Sequence, residues 1–488
     1  MALLFSEKMP EETLKSKTAK GLFWSGLSNV LQQMLNLTVG IFLARKLSVS
    51  DYGIVGMLTI FSSLANALQE GGFRSALTNR KNITKEDYNS VFWTSLSVGI
   101  ILYLILFFSL PLIADFFKTP ELVKLGRFMF LGFLICSLGT AHNAYLFKNL
   151  KAKEMSQCNL TATFLSGISA VCLVYFNFTY FAIAAMNVVY ISVNTLLYWH
   201  FAPIKPMWKF NFKPVKEMLP YSIKLLLTTI FQILNDNFFT ILLGKFFTKI
   251  EVGFYSQAYK WSNLATQTIS LAIENVMQPV FSKTDEEKRQ KVFFKLMQAT
   301  CFIAFPCMFG FGFISQEFIT ITITEKWLES AQIMTVLCIW GAFYPIGKLY
   351  QKQLLSLSKS GTVMICTIIN CCCQMLTVFF TFKYGILTMA FFYVLVNILN
   401  IFVLHFCLNK IYSIKIVNVF FNIAPFLVSI SIAIFFAWLL SSFFTNIYAK
   451  LFAKILLTAT FYFIILKIFK CEILNQTENF LLQFFKRI

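Results

Sequence analysis

The chain has 488 residues, of which 57% are hydrophobic and only 13% charged, and its formal net charge is +20. Soluble domains carry about 25% charged residues, so this composition excludes a protein whose surface faces mainly water. The Lys and Arg residues are spread through short joints between apolar runs, which favours a signal for membrane topology over a nucleic-acid-binding patch. No nucleic-acid partner is expected.

Residues that could bind a metal or a nucleotide do not form suitable patterns. The three His are scattered, and most of the twelve Cys lie in apolar runs, where Cys packs as a small hydrophobic residue. The sequence contains no HExxH, CxxC or Walker-type motif. It therefore predicts no cofactor, no metal site and no ATP hydrolysis by this chain.

Apolar runs predict about fourteen transmembrane helices, because a hydrocarbon core of ~30 Å needs roughly 20 apolar residues per span. In chain order the predicted helices are 20–44, 52–71, 89–114, 124–146, 156–176, 181–200, 218–244, 252–279, 291–314, 328–350, 360–382, 385–408, 417–441 and 446–469. The second, seventh and eighth are rich in Ser, Thr, Asn and Gln, which is unusual for a helix surrounded by lipid. The predicted fold class is an all-α membrane protein.

An internal repeat organises these helices. Segment 41–53 aligns with segment 241–253, with matching residue types at Arg45/Lys245, Asp51/Glu251 and Gly53/Gly253. The offset covers six predicted helices, an even number, so both copies have the same orientation in the membrane and form a parallel repeat. The predicted organisation is an N-terminal segment 1–19, a six-helix lobe 20–200, a linker 201–217, a second six-helix lobe 218–408, two further helices within 409–470, and a tail 471–488.

The distribution of positive charge predicts the topology. Most of the 42 Lys and Arg residues lie in the joints on the same side as the N-terminus, and few lie in the alternate joints. Loops rich in Lys and Arg stay cytoplasmic. Both termini are therefore predicted to be cytoplasmic in a multi-pass protein of the plasma membrane.

The first two helices of each repeat carry polar residues at helical spacing. Such residues are costly at membrane depth and usually face the interior of a bundle or a wet cavity, so we expect them to line a cleft between the lobes. The candidate binding residues are Asn29, Gln32, Asn36, Asn66, Arg74, Lys224, Gln232, Lys260, Asn263 and Gln267, and the candidate ion-coupling residues are Glu70, Asp236 and Glu274. Hydrogen bonds between helices are the alternative interpretation for the neutral members, and a snorkelling or topology-setting position at a cytoplasmic helix end is the alternative for Arg74.

A cleft with cations, amides and hydroxyls suits a substrate that carries phosphate and sugar. Cations neutralise phosphate, and amides match the hydroxyl groups of sugars. The cavity of a drug exporter would instead be aromatic and acidic. Most of the 58 Phe residues lie in apolar runs, where they face lipid or pack between helices.

Several short segments carry a family resemblance by their order and spacing. They are 47–61, 71–77, 83–87 and 91–93 in the first half, and 236–244, 253–260 and 278–282 in the second. They resemble the polysaccharide transporter family of the multidrug/oligosaccharidyl-lipid/polysaccharide exporter superfamily, which includes flippases for the repeat units of O-antigen, capsule and exopolysaccharide. The resemblance covers roughly residues 15–410.

This resemblance implies an alternating-access flippase. Its substrate would be an undecaprenyl-diphosphate-linked oligosaccharide, moved across the bacterial inner membrane for lipopolysaccharide, capsule or exopolysaccharide biosynthesis. Its partners would be that lipid-linked oligosaccharide, membrane lipids and the machinery for polysaccharide polymerisation or export. The carboxylates Asp236 and Glu274 could pair with the cleft cations or could exchange a proton or sodium ion during transport.

Two alternatives stay open. A cation-coupled exporter of small molecules or drugs could use the same scaffold, with Asp236 and Glu274 as coupling residues. A membrane-embedded glycan polymerase or ligase would be an enzyme, but it would need a large polar loop outside the cytoplasm, and the predicted outer joints are short. The sequence therefore favours a transporter over an enzyme.

Overall fold

The computed structural model of the protein describes residues 14–69, 77, 83–208, 211–283, 286–357, 359–412, 414–471 and 473–475. Within these ranges all regular secondary structure is helical. An α-helix satisfies every backbone N–H and C=O of its interior within one segment, which a chain in lipid requires.

The α-helices follow one another through short joints. In chain order they are α1 (Leu14–Lys46), α2 (Val49–Gln69), α3 (Lys85–Phe116), α4 (Glu121–Ser137), α5 (Thr140–Lys148), α6 (Ala152–Tyr175), α7 (Thr179–Phe201), α8 (Phe212–Phe246), α9 (Lys249–Lys283), α10 (Glu286–Phe313), α11 (Ser315–Ile323), α12 (Leu328–Ser356), α13 (Ser360–Thr381), α14 (Ile386–Tyr412), α15 (Ile416–Ser441) and α16 (Ile447–Ile468). Short 3-10 helices, Glu325–Trp327 and Phe382–Tyr384, precede α12 and α14.

The spans confirm an all-α, multi-pass membrane protein. Among the described residues, ten helices are long and apolar enough to cross a membrane, or eleven if the bent pair α4–α5 counts as one span. The other long helices, α2, α8 and α9, are the polar second, seventh and eighth helices of the prediction. Together these elements correspond one for one to the predicted helices.

Most helices extend a few residues beyond their predicted bounds, and three differences change the organisation of the elements. The fourth predicted helix, 124–146, consists of α4 and α5 with a bend of 48° between them; Gly139 lies in the break, and Gly residues are common at sharp kinks. The predicted joint before the tenth helix contains α11. Helix α8 begins at Phe212, inside the predicted linker, where the Asn211 side chain accepts a hydrogen bond from Lys213 N (3.0 Å) and so caps the first turn.

The repeat has a local structural counterpart at the starts of α2 and α9. Asp51 accepts hydrogen bonds from Ser48 N (2.9 Å) and Ser48 Oγ, and Asp51 N donates back to Ser48 Oγ (3.2 Å). Thr248 and Glu251 make the same three bonds. This reciprocal capping box starts a helix by satisfying otherwise free N–H groups, so the aligned acidic residues have one role in both copies.

The chain forms two compact units, Met1–Asn237 and Phe238–Ile488, and the division falls within α8. In the first unit α1 packs along α6, α6 along α7, and α4 against α2, α3 and α7. Gly167 of α6 faces Val39 of α1, and a Cβ at Gly167 would lie 2.8 Å from a Val39 methyl carbon. Small residues thus allow these two helices to approach closely, as is common between helices in lipid.

Helix α12 is the centre of the second unit. It packs against α9, α10, α13 and α14, while α15 and α16 pair with each other and contact α10. Gly341 of α12 lies where a Cβ would be 2.5 Å from the Thr266 hydroxyl of α9. Bulky side chains such as Phe379 on α13 and Phe421 on α15 are exposed, as lipid-facing residues should be.

A buried ion pair joins α16 to α11. Lys454 Nζ lies 2.7 Å from Glu317 Oε1 and donates a hydrogen bond to the backbone oxygen of Phe313 (3.2 Å). The Glu317 and Lys454 side chains are 4% and 9% exposed, whereas the nearby Lys450, at 3.6 Å, is 39% exposed. A buried charge is very costly without a partner, so this pair holds α16 against α11.

We predict that Lys454→Met destabilises the protein strongly. Removing one partner of a buried pair leaves an uncompensated charge and costs about 3–5 kcal/mol. Thermal unfolding of the purified protein in detergent should show this loss as a lower transition temperature. Lys450→Met is the matched control, because an exposed ion pair is worth about 1 kcal/mol or less. Equal shifts for the two variants would contradict this role for the buried pair.

Candidate functional site

Helix α9 carries the clearest of the predicted polar stripes. Lys260, Asn263 and Gln267 recur at steps of three and four residues, so they share one face of the helix. Lys260 and Gln267 are exposed and Asn263 is half-buried. This face is therefore accessible on the surface of its own unit, and packing against other helices does not fully cover it.

The position of Lys260 along α9 makes its exposure informative. Counted from Lys249 at 1.5 Å per residue, its Cα lies about 16 Å along the helix. That distance is close to half of a hydrocarbon core of ~30 Å. If α9 crosses the membrane from its first turn, a charge exposed to lipid at that depth would cost ~2.5–3.5 kcal/mol or more, so we expect hydrated surroundings for the ammonium group.

The stripe on α1 divides into two kinds of residue. Gln32 donates to the Ser28 hydroxyl (2.9 Å), and Ser28 in turn donates to the backbone oxygen of Ser156 on α6 (3.3 Å). Gln32 thus takes part in the packing of α1 on α6. Asn29 is exposed and Asn36 is half-buried, so these two amides remain available to a solute.

The remaining candidates cannot be assigned contacts. Residues Glu70 and Arg74 lie outside the described ranges, and so do the side chains of Asn66, Lys224, Gln232, Asp236 and Glu274. Asn66 lies on α2, Lys224, Gln232 and Asp236 lie on α8, and Glu274 lies on α9. Their roles stay predictions.

A buried amide cluster between α13 and α14 was missed by the sequence analysis. Asn370 Nδ2 and Gln374 Nε2 each donate to Asn397 Oδ1 at 3.1 Å, and Asn397 Nδ2 donates to the backbone oxygen of Tyr393 (2.8 Å). The three side chains are 5%, 1% and 4% exposed, respectively. The available signal was three amides within otherwise apolar helices, two of them four residues apart.

The cluster presents acceptors that lack donors. Within the described part of the chain, Asn370 Oδ1 and Gln374 Oε1 are buried and make no hydrogen bond. Buried polar groups almost always have a partner, so these oxygens are suited to a water molecule or a small cation that prefers oxygen ligands. In the described part of the chain, no group of three or more His, Cys, Asp or Glu side chains converges.

Comparisons with known proteins identify similar sequences and folds. The family model described as "Polysaccharide biosynthesis protein" matches residues 42–332. The chain is 26% identical to the lipopolysaccharide biosynthesis protein WzxC of Escherichia coli, over 69% of either protein. It is 24% identical to the teichuronic acid biosynthesis protein TuaB of Bacillus subtilis, over 86% of this chain and 89% of that protein.

One solved structure shows the same fold. The lipid II flippase MurJ, in an inward closed conformation, aligns with a TM-score of 0.75 at 18% identity, covering 92% of this chain and 99% of that chain. At this identity the similarity establishes the fold alone.

We predict that Asn397→Leu destabilises the second unit, whereas Gln267→Leu does not. Leucine at position 397 leaves two buried amide donors without their acceptor, at a cost of about 1–3 kcal/mol for each group. Gln267 is exposed and should tolerate an isosteric apolar residue. Thermal unfolding of both variants in the same detergent measures the difference; an Asn397→Leu protein as stable as Gln267→Leu would show that the cluster contributes little.

Proposed function

Because the family match covers more than half of the chain, this protein belongs to the polysaccharide biosynthesis protein family, and we propose that it is a flippase for lipid-linked oligosaccharides. Its substrate is an undecaprenyl-diphosphate-linked repeat unit, which it moves across a bacterial inner membrane by alternating access. The product supplies the biosynthesis of a surface polysaccharide.

The family match to residues 42–332 carries this proposal. The names of the relatives, lipopolysaccharide biosynthesis and teichuronic acid biosynthesis, both refer to polymers of the cell surface. The shared fold with a lipid II flippase supports a scaffold on which a polar headgroup can cross while its hydrocarbon tail stays in lipid.

The exposed face of α9 supports a role in holding the headgroup. In our proposal the Lys260 ammonium group neutralises the diphosphate, and the Asn263 and Gln267 amides bind sugar hydroxyls. Arg74 and Lys224 would supply further positive charge, and Asn29, Asn36, Asn66 and Gln232 further hydrogen bonds, whereas Gln32 is engaged with Ser28. These are binding roles that break no covalent bond, consistent with a transporter.

The energy source belongs to the same proposal. A proton or sodium ion would couple to transport through Asp236, Glu274 or Glu70, and the buried amide oxygens of Asn370 and Gln374 support a cation site in the second unit. A cation-coupled exporter of small molecules is the second candidate. In that function the same amide oxygens would bind the coupling cation. The identity of the accumulating substrate distinguishes the two functions.

We predict that cells lacking this protein accumulate lipid-linked repeat units and lose the corresponding surface glycan. Mass spectrometry of polyprenyl-linked glycans, with an assay for the leaflet that holds them, measures both effects. Repeat units that accumulate in the cytoplasmic leaflet would indicate a flippase defect, whereas a polymerase defect would leave them in the opposite leaflet. Unchanged glycans in the deletion strain would favour the small-molecule exporter.

We predict that Lys260→Ala reduces complementation of that strain, whereas Lys260→Arg retains most of it. Alanine removes the cation from the exposed face of α9, and arginine keeps a positive charge able to bind phosphate. Lys383→Ala, which removes an exposed lysine from the 3-10 helix before α14, is the matched control. Normal glycan export by a correctly inserted Lys260→Ala protein would exclude Lys260 from the site.

A further inference from the structure

The segment between α7 and α8 is fixed to the end of the first unit. His142 Nε2 donates to the backbone oxygen of Ile204 (3.1 Å), Trp93 Nε1 donates to that of Met207 (2.8 Å), and Met207 N donates to Asn89 Oδ1 (2.7 Å). His142 and Asn89 are fully buried anchors, at 0% and 2% exposure. The backbone of residues 204–207 is therefore held at three points.

The side chains of this fixed segment are presented outward. Trp208 is 92% exposed, Phe212 53% and Met207 40%. The Trp208 ring lies 5.3 Å from the Trp93 ring, which orients it without covering it. An indole exposed to this extent buries little apolar surface within the chain. We therefore expect a contact outside the chain to cover it.

Positive charge surrounds these apolar groups. Residues 203–217 contain four Lys residues, Lys205, Lys209, Lys213 and Lys216, and a single acidic residue, Glu217. Lys205, Lys213 and Lys216 have exposed side chains. The combination of an exposed indole with several lysines is typical of segments at a membrane interface.

We propose that the described parts of this joint, residues 203–208 and 211–217, form a docking surface for the anionic headgroups of phospholipids. The joint directly follows α7, a helix long and apolar enough to cross a membrane, and we therefore place it near the level of the headgroups. In this arrangement Trp208 and Phe212 insert between headgroups, and Lys205, Lys213 and Lys216 bind lipid phosphates of the same leaflet. Charge complementarity identifies this occupant, since an anionic leaflet attracts basic residues near its surface.

The consequence is a lipid-anchored joint. In this proposal lipid headgroups bind one side of the joint, and three hydrogen bonds to the first unit hold its other side. This role is independent of the transported substrate, so it can be tested whether or not the proposed flippase activity is confirmed.

The first test measures the lipids retained by the full-length protein. The protein is extracted in polymer-bounded discs from membranes of phosphatidylethanolamine and phosphatidylglycerol, and the two lipids are quantified by mass spectrometry. The triple variant Lys205→Gln/Lys213→Gln/Lys216→Gln should retain several-fold less phosphatidylglycerol, because each basic residue near the surface contributes a preference of about fivefold. The double variant Lys383→Gln/Tyr384→Ala, at an exposed joint with a single lysine, is the control and should lower the phosphatidylglycerol content far less.

The second test locates Trp208 directly. Brominated phosphatidylglycerol should quench a component of the tryptophan fluorescence that is absent from Trp208→Phe, and high salt should weaken the phosphatidylglycerol preference. An unchanged lipid ratio in the triple variant, or a Trp208 component that brominated lipid does not quench, would overturn the proposal. Both variants alter exposed side chains, and their helix content should equal that of the unmodified protein.

Discussion

The requirement that a backbone in lipid satisfy its own hydrogen bonds determines the architecture of this protein. Long helices meet the requirement for the main chain, but each polar side chain on those helices must still find a partner, a hydrated surface or a place at the interface. Gln32, Asn397 and Glu317 find partners within the fold. Lys260 is exposed, and Trp208 lies at the end of a span. Polar side chains with partners inside the fold serve packing, and those left exposed are the candidates for function.

Much of the fold follows from the sequence because its signals are local. Apolar runs between charged joints predict the spans, and the offset that aligns Asp51 with Glu251 marks two capping boxes with identical bonds. The bend at Gly139 and the short helix α11 were not predicted. Neither feature is marked by a change in the local amino-acid composition. Both depend on packing against other helices, which hydrophobic runs in a sequence do not reveal.

The candidate site is harder to predict from the sequence. Helical spacing shows which residues share a face of a helix, but it does not show which other helix that face contacts. Gln32 and Gln267 look alike in the sequence, yet one bonds within the packed interface of α1 and α6 and the other is exposed. The amide cluster joins the consecutive helices α13 and α14 through faces that the sequence does not pair, and the Glu317–Lys454 pair joins α11 to α16, which are far apart in the chain. Such pairings require tertiary structure, so the charged residues of α11 and α16 could not be matched from composition.

The same ion pair orders the events of biogenesis. Lys454 donates to the backbone oxygen of Phe313, which lies 141 residues earlier in the chain, and it neutralises Glu317 nearby. Glu317 therefore leaves the ribosome well before its partner exists. Until α16 is made, this carboxylate lacks the ammonium group that neutralises it in the folded protein, and it has to be hydrated or held by another partner. Burial of Glu317 therefore awaits the synthesis of α16.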